Sequence, residues 1–309
     1  MVKEQVNAGL KAVDEKLHEV VRSEVAVLDE ASHHIIASGG KRVRPQIALL
    51  AYLAAGGEDL NEAVPLAAAV ELIHTATLVH DDINDHSLTR RGKITVHARW
   101  GRTFALLAGD YLFAKVYEMM APYGALYNQI MAEATVELVE GETLQAAAAK
   151  SGQMDRETYK RIIDLKTASL FRAAATTGAL LAGADDDMVS ALDEYAHNLG
   201  LVFQIVDDVL DIVGDPEKLG KPVGLDVAQG MGVSTVAVQQ QNGRKQAETA
   251  SDPYQALMSR LRESGAADAA LAEANEIAGR ARAALHALPP SEARDAMEDL
   301  IDAVLERDR

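Results

Sequence analysis

The sequence predicts an all-α fold, a helical bundle built as a single domain over residues 1–309. Three observations carry that prediction. Apolar residues make up 48% of the chain but aromatics only 4%, and the apolar set is mostly Ala, Leu and Val, which favours helix over sheet. Apolar positions recur at helical spacing between Pro and Gly breaks, and no alternating strand pattern persists. No Pro/Gly/Ser-rich linker divides the chain, and no fixed-period repeat occurs.

The periodicity predicts helices over 3–38, 44–56, 62–86, 101–120, 125–149, 156–183, 186–214, 227–240, 253–263, 266–287 and 291–307. "SGGKRVRP" separates the first two, and Pro45 suits the first turn of the second, where a backbone N–H is not needed. The third is unusual: from Val64 to His80 its only acid is Glu71, and it has no Lys or Arg. A helix apolar on nearly every side belongs at the centre of a bundle. "PYG" at 122–124 ends the fourth, and "GDPEKLGKPVGLD" is a long polar loop after the seventh.

Composition narrows the chemistry. With no cysteine, disulfides and thiolate metal sites are excluded, so any metal needs oxygen or imidazole ligands, which suits a hard ion such as magnesium. The opening "MVKEQVNAGLKAVDEKL" has early acidic charge and no apolar signal core. No uncharged apolar run approaches the roughly 20 residues of a membrane span, so the expectation is a cytoplasmic chain with no stable membrane insertion. A net charge of −17 and a pI near 4.9 argue against nucleic acid as a partner. An anionic small substrate would need its own cluster of local cations.

Two acidic clusters close apolar helices. In "HTATLVHDDIND", Asp81 and Asp85 are four apart and share a helix face, with Asp82 about 100° round. They fall at the C-terminal end, where the macrodipole disfavours carboxylates. "FQIVDDVLDIVGDP" repeats the pattern with Asp207, Asp208 and Asp211, and Gly214 and Pro216 follow. A cation shared by the clusters would remove both problems, and magnesium takes one or two carboxylates plus substrate phosphate and water.

Cationic motifs supply the other half. "GGKRVRP" places Lys41, Arg42 and Arg44 beside a double glycine just before a helix start, which favours anions. Arg90 and Arg91 follow the first cluster, and Lys218 and Lys221 follow the second. Lys166 and Thr167 interrupt an apolar helix, and Gln204 stands one turn before Asp207 and Asp208. The combination suggests chemistry on two anionic groups, one gripped by metal and the other by Arg and Lys.

These motifs, in this order and with Gly109–Asp110 and "LGKPVGLD", resemble the trans-type polyprenyl diphosphate synthases, the polyprenyl synthetase family. The resemblance is dense from about residue 30 to 230. It implies an all-α bundle of the isoprenoid synthase type around a deep central cavity, usually as a homodimer. It also implies two or three magnesium ions, bound by Asp81, Asp82, Asp85, Asp207, Asp208 and Asp211. Arg90, Lys166, Thr167, Gln204 and Lys221 would contact an allylic diphosphate. Lys41, Arg44, His74 and Arg91 would hold isopentenyl diphosphate. Asp81, Lys166 and Lys221 would be catalytic, stabilising charge on the departing diphosphate. Where the family usually has a further lysine after "GLDVAQG", this chain has Met231.

In the family, bulky residues four or five positions before the first aspartate stop chain growth. Here Thr77 and Ala76 stand there, with Ile73 and Ala69 behind them, so a product of geranylgeranyl length or longer is expected. Tyr52, Phe113 and Met131 are candidates for a tunnel floor. His80 reads as a packing residue, Asp110 as a buried hydrogen-bonding aspartate with Glu71 similar, and Arg307 and Arg309 as a solvated tail. A farnesyl-length stop is the nearest alternative. A class I terpene cyclase would not need "GGKRVRP" and "RRGK". A non-catalytic subunit of a heteromeric synthase would tolerate lost metal ligands, and here both clusters are intact.

Overall fold

The computed structural model describes residues 1–213 and 264–307. Among these the chain is helical apart from one small hairpin. In order come α1 (Val2–Val20), α2 (Ala26–Ile36), α3 (Val43–Ala54), α4 (Leu60–Asn84), β1 (Thr89–Arg90), β2 (Lys93–Ile94), α5 (Val96–Trp100), α6 (Arg102–Met120) and α7 (Ala125–Ser151). Then follow α8 (Arg156–Ile163), a π-turn (Asp164–Ala168), α9 (Ser169–Leu181), α10 (Asp186–Val213), α11 (Ala266–Leu285) and α12 (Glu292–Leu305). The helices predicted at 227–240 and 253–263 lie outside the described residues.

The chain groups into two compact units. The first takes Met1–Thr135, Leu170–Asp193 and Leu285–Met297; the second takes Val136–Ser169, Glu194–Ala284 and Glu298–Arg309. In the first unit α4 packs against α1, α3 and α6. Leu66, Ala67, Ala68, Ala69, Val70, Leu72, Ile73 and Ala76 are all fully buried there. Small side chains let neighbouring backbones approach: at Gly109 on α6 a Cβ would lie 2.3 Å from the His80 ring. By length and composition α4 could cross a membrane, but most of it is buried inside this unit.

Three departures from the predicted elements have local causes. The helix expected over 3–38 is two helices, broken at residues 21–25. There the Ser23 N–H donates to Asp29 Oδ1 at 2.9 Å and the Val25 N–H to Ser23 Oγ at 3.1 Å, so side chains take over backbone bonds that a helix would use. The unpredicted hairpin pairs Thr89 with Ile94 and Arg90 with Lys93. Its loop is Arg91–Gly92, both with positive φ, 50° and 74°, which is the type I′ turn that tight hairpins prefer. The helix expected over 156–183 is helical throughout but widens at "DLKTA" into the π-turn.

Candidate active site

The first aspartate cluster forms the last turn of α4. The Asp85 N–H donates to the Asp81 carbonyl at 2.8 Å, and His86 then ends the helix in a left-handed conformation. Asp81 is half-buried and Asp85 exposed, on one face, whereas Asp82 is turned inward and 7% exposed. Arg90 Nε donates to Asp82 Oδ1 at 2.7 Å, which ties the hairpin to the end of α4. Burial pushes the Asp82 carboxyl above its ordinary range, against the pull of Arg90.

A cationic group lies in the same unit. Arg44 is buried near the start of α3, its guanidinium 5.0 Å from the centre of the Phe171 ring. A Cβ on Gly40 would lie 2.5 Å from Arg91 Nη1, so the double-glycine loop passes directly against Arg91. Burial, then the positive charge of Arg44, Arg91, Arg90 and Arg42, holds the His74 imidazole well below its ordinary value. The structure therefore brings Arg44, Arg91 and His74 together, with Lys41 in the adjoining loop. Lys41 itself is exposed.

Arg42 departs from the anion-binding role that the sequence suggests. It takes a left-handed conformation, φ 50°, at the N-cap of α3. Its side chain runs inward, donating from Nε to Asp14 at 2.9 Å and from Nη1 to Glu71 at 2.7 Å. Glu71, the single acid of the apolar stretch of α4, is thereby paired.

His74 gives a prediction with a definite sign. The unfolded chain takes a proton at this position near pH 6.5, whereas the folded chain does not. Stability contributed here is intact above that pH and falls as pH drops below it. Thermal melts at pH 7.5 and 5.5 should show His74→Gln losing less stability on acidification than the wild type. Equal losses would contradict the assignment.

In the second unit, α10 carries Asp207, Asp208 and Asp211 within its last two described turns. Asp208 is buried and hydrogen-bonded at both carboxylate oxygens: Gln204 Nε2 donates to Oδ1 and Tyr159 Oη to Oδ2, each at 2.8 Å. The Thr167 hydroxyl donates to Gln204 Oε1 at 2.8 Å, so Tyr159, Asp208, Gln204 and Thr167 form one continuous network. Lys166 Nζ is 2.8 Å from Glu142 Oε1 and donates to Gln145 Oε1 at 3.0 Å. Asp211 is buried, and Asp207 is 43% exposed. Arg307 is no solvated tail: it lies 12% exposed, 3.7 Å from Asp207 and over the Phe203 ring at 4.1 Å. Lys218, Lys221, Met231 and Arg309 lie outside the described residues.

Among the described residues no three carboxylates or imidazoles converge on one point as a self-sufficient metal cage. Both clusters nevertheless offer carboxylate oxygen, and Asp81, Asp85 and Asp207 retain exposure. That donor set fits magnesium, which takes one or two carboxylates and completes its shell with phosphate and water.

The chain-length positions Ile73, Ala76 and Thr77 are all buried in the first unit, and the Thr77 hydroxyl donates to the His74 carbonyl at 2.8 Å. The floor candidates separate. Phe113 lies beside His80, with ring centroids 6.0 Å apart, at the aspartate end of α4. Tyr52 is tied to Glu62 at 2.8 Å, near the opposite end, and Met131 is buried on α7. His80 packs against Gly109 and lies 3.5 Å from Asp110, which is 59% exposed rather than buried. The sequence reading missed Tyr159, Gly141, Glu142 and Gln145. Their helical spacing from 141 to 145 is legible, but the pairing across helices is not.

Comparison with known proteins places these residues in context. Residues 25–273 match the polyprenyl synthetase family. The chain is 35% identical to octaprenyl diphosphate synthase of Escherichia coli, covering 100% of this chain and 98% of that one. It is 38% identical to heptaprenyl diphosphate synthase component 2 of Geobacillus stearothermophilus, covering 97% and 96%. A solved polyprenyl synthase from Caulobacter crescentus, complexed with calcium and isoprenyl diphosphate, superposes with a TM-score of 0.93 at 36% identity, covering 99% and 97%.

Proposed function

The chain belongs to the polyprenyl synthetase family and is a trans-prenyltransferase; from that premise we propose that it elongates an allylic diphosphate with isopentenyl diphosphate to geranylgeranyl length or beyond. The whole of 1–309 acts as one catalytic domain. The observation that carries the substrate assignment is the gathering of Arg44, Arg91 and His74 beside the Lys41 loop, a concentrated positive site in a chain of net charge −17.

In this reading Lys41, Arg44, His74 and Arg91 hold the diphosphate of isopentenyl diphosphate. Arg90, Lys166, Thr167, Gln204 and Lys221 hold the allylic diphosphate. Asp81, Asp82, Asp85, Asp207, Asp208 and Asp211 supply the metal-binding clusters, with Asp82 and Asp208 also anchoring Arg90 and Gln204. Magnesium, when bound, supplies positive charge to the departing diphosphate. Lys166 and Lys221 add fixed cationic charge to the same group. The C–O bond breaks with its electron pair leaving on diphosphate, and the isopentenyl double bond forms the new C–C bond to the allylic cation. The released diphosphate takes the proton lost from the adduct. Apolar walls keep water from the cation, so no side-chain nucleophile is needed.

The protein works in the cytoplasm as a homodimer. A heteromeric arrangement is the second reading, favoured by the similarity to a heptaprenyl synthase component. One experiment separates them. Purified protein is incubated with magnesium, isopentenyl diphosphate and, separately, dimethylallyl, geranyl or farnesyl diphosphate. Products are dephosphorylated and sized by mass spectrometry. A ladder reaching four or more isoprene units supports the proposal, a stop at farnesyl corrects the length, and no elongation favours the heteromeric reading.

Product length has its own test. Ala76 is fully buried on α4, five residues before Asp81. Ala76→Phe should shorten the main product, at a stability cost of about 1–3 kcal/mol from overpacking. An unchanged product from folded variant would remove Ala76 from the tunnel.

A further inference from the structure

Resting on the reading of Lys166 and Thr167 as allylic diphosphate contacts, we propose that Gly141, Glu142 and Gln145 form a positioning platform on α7 that sets the Lys166–Thr167 turn. All these residues belong to the second unit. The π-turn Asp164–Ala168 interrupts a run that is otherwise α-helical from Arg156 to Leu181. Single π-turns are rare, because they add a residue per turn and loosen the backbone ladder, so something nearby must favour them.

Gly141 supplies the space. A Cβ there would lie 2.6 Å from the Lys166 backbone N and 2.9 Å from its Cα. Both are backbone atoms, so the clash cannot be relieved by rotating a side chain, and only glycine lets the turn sit this close. The same face of α7 then takes the side chain. Glu142 Oε1 lies 2.8 Å from Lys166 Nζ, and Gln145, one helical turn beyond Gly141, accepts from it at 3.0 Å. The next residue, Thr167, reaches the other way, to Gln204 on α10, and Gln204 continues to Asp208. Consecutive side chains of one turn therefore engage two different helices. The backbone of the first is set by a glycine contact and its ammonium by two α7 acceptors.

Ordinary helix packing would also explain a glycine at 141, and kinetics distinguish the two. The full-length protein is assayed with magnesium, geranyl diphosphate and isopentenyl diphosphate as Gly141→Ala and as Glu142→Gln. Fold is checked by circular dichroism. For Gly141→Ala, kcat/KM for geranyl diphosphate should fall about tenfold or more, as displacement of a positioning group by a fraction of an ångström to 1 Å implies. Glu142→Gln, which introduces no clash, should show a smaller fall of about fivefold in the same parameter. In both, KM for isopentenyl diphosphate at saturating geranyl diphosphate should stay within about twofold of wild type. If Gly141→Ala does not fold, Glu142→Gln decides. Unchanged kinetics in folded Glu142→Gln, or equal losses for both substrates, overturn the platform. A wild-type protein that elongates nothing instead overturns the prenyltransfer reading beneath it.

Discussion

Asp81→Asn should lower kcat about 10³-fold at saturating magnesium and leave stability within about 1 kcal/mol of wild type. The two expectations come from the same placement. Asp81 stands in the last turn of α4, half-buried, on the face it shares with exposed Asp85. A carboxylate at a helix C-terminus works against the macrodipole, so neutralising it costs the fold little. Its value lies in what it binds. Asn keeps the shape but loses the charge that would hold a divalent ion at the departing diphosphate. Asp82→Asn makes the contrast, because that side chain is 7% exposed and carries the Arg90 contact. It should lower the melting temperature as well as the rate. Steady-state kinetics with melting curves on both variants give the answer. A loss below about tenfold in Asp81→Asn would remove that residue from the metal-binding set.

The contrast between Asp81 and Asp82 shows what a sequence can and cannot display. Helical spacing put Asp81 and Asp85 on one face and placed the cluster at the end of α4, and the fold agrees, because both properties depend on residues within one or two turns. The inward turn of Asp82 depends on Arg90, eight residues on and across a hairpin whose strands are two residues each. Strands that short carry no alternating pattern. The break at 21–25 was equally hidden, since one serine and one aspartate decide it against a long apolar rhythm. The π-turn at Lys166 rests on Gly141, on another helix, which no local pattern announces. Buried apolar residues and helix ends were therefore legible, whereas polar pairings between elements were not. Those pairings decide which members of a motif face a ligand and which hold the fold.

Arg42 is the sharpest case of that division, and replacing it should have the largest effect on stability. Arg42 and Glu71 are 8% and 3% exposed, and Asp14 completes the group. Removing one member of a buried ion pair leaves the other charge without compensation, at a cost of about 3–5 kcal/mol. Arg42→Met should therefore lower the thermal midpoint by about 10 °C, at a few degrees per kcal/mol for a chain of this size. Glu71→Leu alone should cost a similar amount, since it strands the guanidinium instead. The double change Arg42→Met with Glu71→Leu should recover much of the loss, because a buried pair is often no better than apolar side chains of similar volume. Activity should not follow stability. Arg42 sets the left-handed start of α3, between Lys41 and Arg44. A refolded but apolar core therefore still leaves those two cations less well placed, and KM for isopentenyl diphosphate should remain raised in the stable double variant. Melts and kinetics on all three variants test both halves. If the double change costs as much as the two single changes summed, the residues act separately and the ion pair is not what joins α1 and α4 to the start of α3.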